Sequence, residues 1–289
     1  MDRRLLAVST WLTVLVIGVS PPSRAASSTA ARLDALAIAT TGSLQEMRAS
    51  EIVKHDRVET AIATCMRAAG HRYNKRPVLS FYRDFTEADF GYGTGHATVI
   101  DSLTEGPRIL ILNETAYARL ARESADEPAV PPQDATALDK CRRKAGRRTY
   151  YQVEMPPGLD RVGLAFGELL MAVNRDPDIV RGMRHYRSCM HNRYGYVVDD
   201  RRDFMITSRL DRRDAPVDGA PASAAWRQAV AELERRFAAD ADCRRPAYEA
   251  GLRVIAELID DWEARHRGEI AAVRAQWQQR TDDAARVRR

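Results

Sequence analysis

The sequence predicts a mainly α-helical protein: a disulfide-stapled helical bundle built from two related halves, with a minor β/loop insertion in the first half. Three observations carry that expectation. Apolar residues recur at spacings of three and four over long stretches. A short element opening on Cys-Met occurs twice, and each copy is answered downstream by a second cysteine flanked by charge. The first copy is Cys65-Met66-Arg67-Ala68-Ala69-Gly70-His71-Arg72-Tyr73, answered by Asp139-Lys140-Cys141-Arg142-Arg143. The second is Cys189-Met190-His191-Asn192-Arg193-Tyr194-Gly195-Tyr196, answered by Asp242-Cys243-Arg244-Arg245.

Glycine adopts the left-handed conformation that closes a helix, so Gly70 and Gly195 are expected just past a last helical turn. The following tyrosine is then placed to fold back on the cap, with the methionine as flexible apolar filler. Glycine lies five residues after Cys65 but six after Cys189, which predicts a second cap of different construction.

Met1 to Ala25 reads as a secretory signal. Arg3 and Arg4 open it, Leu5 to Val19 is uncharged and mostly apolar, Pro21 and Pro22 break the run, and Ser23-Arg24-Ala25 offers small residues for cleavage. An apolar run of about fifteen residues falls short of the roughly 20 that span a bilayer, so cleavage is preferred over an uncleaved N-terminal membrane anchor. The expected organisation is residues 1–25 as signal peptide, 26–156 as the first Cys-pair half and 157–289 as the second. No stable membrane insertion is expected after cleavage.

The 289 residues are 45% hydrophobic and 29% charged, which is globular composition. The formal charge of +5 falls to +3 once Asp2, Arg3, Arg4 and Arg24 leave with the signal, too small an excess for a nucleic-acid partner. Export makes disulfides the natural state of four cysteines. Four cysteines allow three pairings, and the duplication selects Cys65 with Cys141 and Cys189 with Cys243. On the chain-entropy model each loop would stabilise by roughly 4 kcal/mol. No C-x-x-C or H-x-x-x-H spacing supplies a metal site.

In chain order, Ala26 to Ala31 is a small-residue leader expected to be mobile. Helix signals begin near Leu33. Ser43-Leu44-Gln45-Glu46 has the spacing of a capping box, which sets a helix start near Gly42. Val58, Ile62, Cys65, Met66 and Ala69 continue at helical spacing up to Gly70. Val78–Tyr82 and Ile109–Leu112 read as short β-like runs on either side of the loop Phe90-Gly91-Tyr92-Gly93-Thr94-Gly95-His96. No strand-to-helix junction or lysine accompanies these glycines, so they suit a tight turn rather than a phosphate cradle. Tyr92 and His96 are the candidate ligand-binding residues. Asn113 to Ala121 reads as a short helix, and Glu127 to Pro132 as a stiff connection into the helix of Cys141.

Pro156-Pro157-Gly158 marks the seam between halves. Val162, Ala165, Phe166, Leu169, Leu170 and Val173 form one helical face, and Asp176-Pro177 starts a helix running through Ile179, Met183, Tyr186 and Met190. Tyr196 to Asp218 reads as charged and irregular. Trp226 to Ala239 is helical. Beyond Pro246 the stripe Leu252, Ile255, Ile259, Trp262, His266, Ile270, Val273 and Trp277 predicts a long packing seam resembling a short coiled coil.

Taken together, these elements resemble a family of uncharacterised exported proteins and lipoproteins of actinobacteria with repeated Cys-Met-x-x-x-Gly elements, a Gly-Tyr-Gly loop and later answering cysteines. Here those are Cys65-Met66 to Gly70, Gly91-Tyr92-Gly93, Cys141, Cys189-Met190 and Cys243. The chain departs in the extra residue before Gly195 and in lacking a cysteine for a lipid anchor. The resemblance implies a secreted, envelope-associated protein.

His55, His71, His96, His185, His191 and His266, with Glu168 or Asp176, are the available acid–base groups, but no G-x-S-x-G elbow or H-E-x-x-H helix gathers them. The expectation is a secreted binding or scaffold protein with no catalytic residues, metal or cofactor, whose partner is a cell-wall polymer or another exported protein. The alternative is a secreted hydrolase acting on cell-wall material. Arg274, Arg280, Arg286, Arg288 and Arg289 either touch anionic polymer or headgroups, or simply complement a helix end.

Overall fold

One helix of 64 residues, α9 (Ala224–Val287), is the spine on which the other elements are laid. At 1.5 Å per residue it is about 96 Å long. The computed structural model describes residues 24–94, 98–125, 132–145, 156–206, 210–216 and 220–287. Before the spine come α1 (Arg24–Thr41), α2 (Leu44–Ala68), α3 (Gly106–Ala125), α4 (Pro132–Lys144), α5 (Leu159–Asn174), α6 (Pro177–Gly182), α7 (Tyr186–Tyr194) and α8 (Arg201–Ile206). The mainly helical, disulfide-stapled class is therefore the observed one, and no β-strand occurs among the described residues. Most of the expected signal segment, residues 1–23, lies outside them.

The apolar stripe of α9 does what its spacing predicts. Leu252, Ile255, Ile259, Trp262, Val273 and Trp277 are buried, in one cluster with Leu33 and Leu36 of α1, Met47 of α2, and Val162, Phe166, Leu169 and Val173 of α5. At roughly 1.5–3 kcal/mol for each large side chain, this stripe alone contributes on the order of 10 kcal/mol. Elements from both sides of Pro156–Gly158 thus share a single core built on α9.

Two local signals position the helix ends. The Ser43 hydroxyl accepts from Glu46 N at 3.3 Å while the Glu46 carboxylate accepts from Ser43 N at 2.8 Å, the expected capping box. Arg274 of α9 donates to the same carboxylate at 2.5 and 2.8 Å, so the cap also ties α2 to the spine. Gly70 and Gly195 have φ of +82° and +73°. In the first motif Gly70 N donates to Arg67 O and His71 N to Met66 O, both at 3.0 Å, a Schellman closure. In the second, Gly195 N donates to His191 O at 2.9 Å and Tyr196 N to Met190 O at 3.1 Å. The methionine carbonyl takes the N–H after the glycine in both copies, and the extra residue is absorbed by a hydrogen-bonded ring one residue wider. The disulfides join Cys65 to Cys141, linking α2 to α4, and Cys189 to Cys243, linking α7 to α9. Tyr73 packs against the apolar cluster that holds the first pair and Tyr196 against that of the second.

Several expectations are corrected. Ile109–Leu112, read as β-like, lies inside α3. A continuous apolar run suits a helix when every face has a neighbour, and here Leu110 and Ile111 pack toward Trp226 and Phe237 while Leu112 packs toward Phe81 and Phe85. Val78–Tyr82 forms no strand either. Its polar groups are met by side chains: Phe81 N and the Ser80 hydroxyl donate to Glu51 at 2.8 and 2.5 Å, and Arg119 donates to Ser80 O at 2.6 Å. Ala26–Ala31 is no loose leader but part of α1, in keeping with the helix propensity of alanine.

The helix begun at Asp176-Pro177 ends at Gly182 and resumes as α7. At that break α6 presses on the spine, where a Cβ on Gly182 would lie 2.7 Å from Ala247 Cα. The irregular stretch after Tyr196 contains α8. Pro246 does not divide Trp226–Ala239 from the following stripe, since α9 runs straight through it. A proline inside a helix costs about 3 kcal/mol. Clamps on either side offset that cost: the Cys189–Cys243 bond and the fully buried Arg244 before it, and α6 against Ala247 after it.

Candidate functional site

A concavity lies between α1 and the C-terminal half of α9, a groove of about 690 Å³. Its floor is made by Ala35, Leu36 and Ala39 of α1 with Ala264, Ile270 and Ala271 of α9. The cause is local: Trp277 Nε1 donates to Thr40 O at 3.1 Å and pins the helices together, while the alanines beside that contact supply only methyl groups and leave space. Small residues at 35 and 39, and at 264 and 271, are the signal in the sequence from which the groove could have been read.

Four charged residues border it. Arg32 donates to Glu263 at 2.8 and 3.2 Å and lies 2.5 Å from Asp260. The hydrogen bonds that it donates to Glu263 and then Asp260 hold its guanidinium above its ordinary pKa. Arg267 is exposed, and its side chain makes no hydrogen bond or ion pair among the described residues. The groove therefore combines an aliphatic floor, a neutralised ionic cluster at one end and a free cation. Its size is that of a binding cleft between helices, with six apolar and four charged residues lining it.

Of the two candidate ligand residues, Tyr92 is buried in the main core. Its hydroxyl lies 2.9 Å from that of Tyr248, and its backbone N–H donates to Asp34 at 3.1 Å. Burial, then the neighbouring Tyr248, pushes its phenol well above the usual range. His96 lies outside the described residues, so the two are not brought together in what is described.

Close by, sequence reasoning missed a buried charge cluster. Asp240 accepts from Arg201 at 2.7 Å, Arg244 at 2.6 Å and the Tyr186 hydroxyl at 2.7 Å. Arg244 also donates to the carbonyls of Val99, Asp101 and Ser102 at 2.7–2.8 Å, which fastens the 98–102 turn to the spine. Burial pushes Asp240 up, but Arg201 and Arg244 outweigh it and leave its carboxyl below the usual value. Asp101 goes the other way: burial pushes it up to about 6 despite its hydrogen bonds from Thr98 and the nearby Arg201 and Arg244. Only the i, i+4 spacing of Asp240 and Arg244 hinted at this cluster.

The described histidines are scattered. His55 Nε2 donates to Arg76 O at 2.7 Å; His71 Nδ1 meets Asp134 at 2.5 Å, tying the end of α2 to α4; His266 Nδ1 meets Glu269 at 2.7 Å. His185 precedes α7 and His191 lies in its last turn. Of the C-terminal arginines, Arg274 holds Glu46, Arg280 lies over the Trp277 ring and Arg286 pairs with Asp283, while Arg288 and Arg289 fall outside the described residues. The sulfurs of Cys189 and Cys243 sit near Asp242, but their disulfide withholds the thiolates a metal would need. No known protein family, curated protein or solved structure matches this chain.

Proposed function

We propose that this protein is an exported, envelope-associated binding or scaffold module that holds an apolar part of its partner in the α1–α9 groove. The groove is the observation that carries the reading. Its floor is alanine, leucine and isoleucine, its border is charged and no aromatic ring lines it, which suits an aliphatic or peptide surface better than a sugar ring. That favours another exported protein over a wall polymer. Two disulfides with no free cysteine among the described residues fit an oxidising compartment. No described helix is long and apolar enough to cross a membrane.

Titration with the neutral dye N-phenylnaphthylamine tests the groove. Saturable fluorescence enhancement is expected, and Ala264→Trp should abolish it without lowering the melting temperature, because Ala264 is exposed. Enhancement that fails to saturate, or that survives Ala264→Trp, would overturn the reading.

A further inference from the structure

We propose that the partner seated in the α1–α9 groove is a second copy of this chain, which inserts the outer face of its α5. This rests on the reading of the groove as a binding site and names the occupant. Helix α5 buries Val162, Phe166, Leu169 and Val173 in the core, yet its opposite face carries Leu164 at 68% and Met171 at 50% exposure. Glu168, between them, is exposed and has no side-chain partner among the described residues. An apolar pair one heptad apart, with an unanswered carboxylate between, is more than this fold uses.

The charges of the two faces match in sign and spacing. Arg161 and Glu168 are seven residues apart on α5; Asp260 and Arg267 are seven apart on α9. Laid parallel, the helices bring Arg161 beside Asp260 and, about 10.5 Å further on, Glu168 beside Arg267. The same register sets Leu164 at the level of Glu263, one residue before Ala264, and Met171 at the level of Ile270, one residue before Ala271, large side chains beside the alanines of the floor. Both members of the Glu168–Arg267 pair are otherwise unpartnered among the described residues. Arg161 is free to swing, lying 3.9 Å from Glu269 with its side chain 82% exposed, and Asp260 remains 75% exposed beside Arg32.

A single molecule cannot make this contact. Helix α5 packs on the side of α9 that carries Trp262, against which Phe166 lies 5.7 Å away. The groove opens on the side of Ala264, roughly 200° further round the helix. Knob and hole point apart, and they are different patches, so the contact is heterologous and each bound copy presents a fresh groove.

Sedimentation velocity on the full, disulfide-bonded chain over a wide concentration range tests this. The average sedimentation coefficient should climb beyond that of a dimer. Glu168→Arg and Arg267→Glu should each weaken association about tenfold or more, with unchanged melting temperature, and combining them should restore it. A monomer at all concentrations, a closed dimer, or association that either single reversal leaves unchanged would sink the proposal. If the wild-type chain stays monomeric while the dye still saturates the groove, only the second-copy occupant falls. If neither occurs, the groove reading falls too.

Discussion

Asp101 and Asp240 lie within one charge cluster and respond to pH in opposite senses. Asp101 holds its proton more tightly in the folded state, with a pKa raised from 3.8 to about 6, so its contribution to stability is fully present below about pH 4 and is lost as pH rises through 6. Asp240 is depressed by Arg201 and Arg244, so its contribution is present above about pH 4 and is lost at more acidic pH. Of the two, the Asp101 effect is the one that varies above pH 4, in the same sense as the carboxyls of Glu51 and Asp34, which burial also raises. The urea midpoint should therefore fall from pH 5 to pH 7.5, and Asp101→Asn should flatten that slope. A wild-type midpoint that rises with pH over this range would contradict the assignment.

Helix α9 shows how tertiary contacts overrule a local stop signal. Pro246 removes one backbone donor, but Arg244, the Cys189–Cys243 bond and α6 hold the chain helical across it. The closest of these approaches is sterically exacting. Gly182→Ala places a methyl 2.7 Å from the Ala247 backbone and should destabilise by about 1–3 kcal/mol. Gly268→Ala, also within a helix but with nothing within 4 Å of its Cβ position, should instead stabilise by about 0.5–1 kcal/mol. Denaturant unfolding of the two variants reads both signs. The capping box and the Asp176 cap were legible because each involves residues two or three apart. The identity of 109–112 was not, because a four-residue apolar run satisfies strand and buried helix equally until its neighbours are known.

For the whole molecule, the two disulfides close chain segments separated by 76 and 54 residues. Non-reducing peptide mapping should return Cys65 with Cys141 and Cys189 with Cys243. Reduction should lower stability by roughly 4 kcal/mol per bond, less whatever structure the unfolded chain retains. Crossed pairs, or thiols that titrate without denaturant, would contradict the architecture. The C-terminal stripe contributes at this same scale, since it gathers α1, α2, α5 and α6 onto one helix.

By itself the sequence determined the helical class, the caps of α2 and α6, the left-handed closures at Gly70 and Gly195 and the cysteine pairing. Each depends on residues close in the chain, or on a repeated motif that marks equivalent positions. Only the tertiary structure decided that Tyr92 is a core residue, that Asp101, Arg201, Asp240 and Arg244 meet, that Pro246 is tolerated, and that alanines of α1 and α9 face each other across a groove. Those outcomes depend on which faces of distant helices come together. Burial, charge pairing and empty space are properties of that juxtaposition, and no spacing along one helix encodes what stands opposite it.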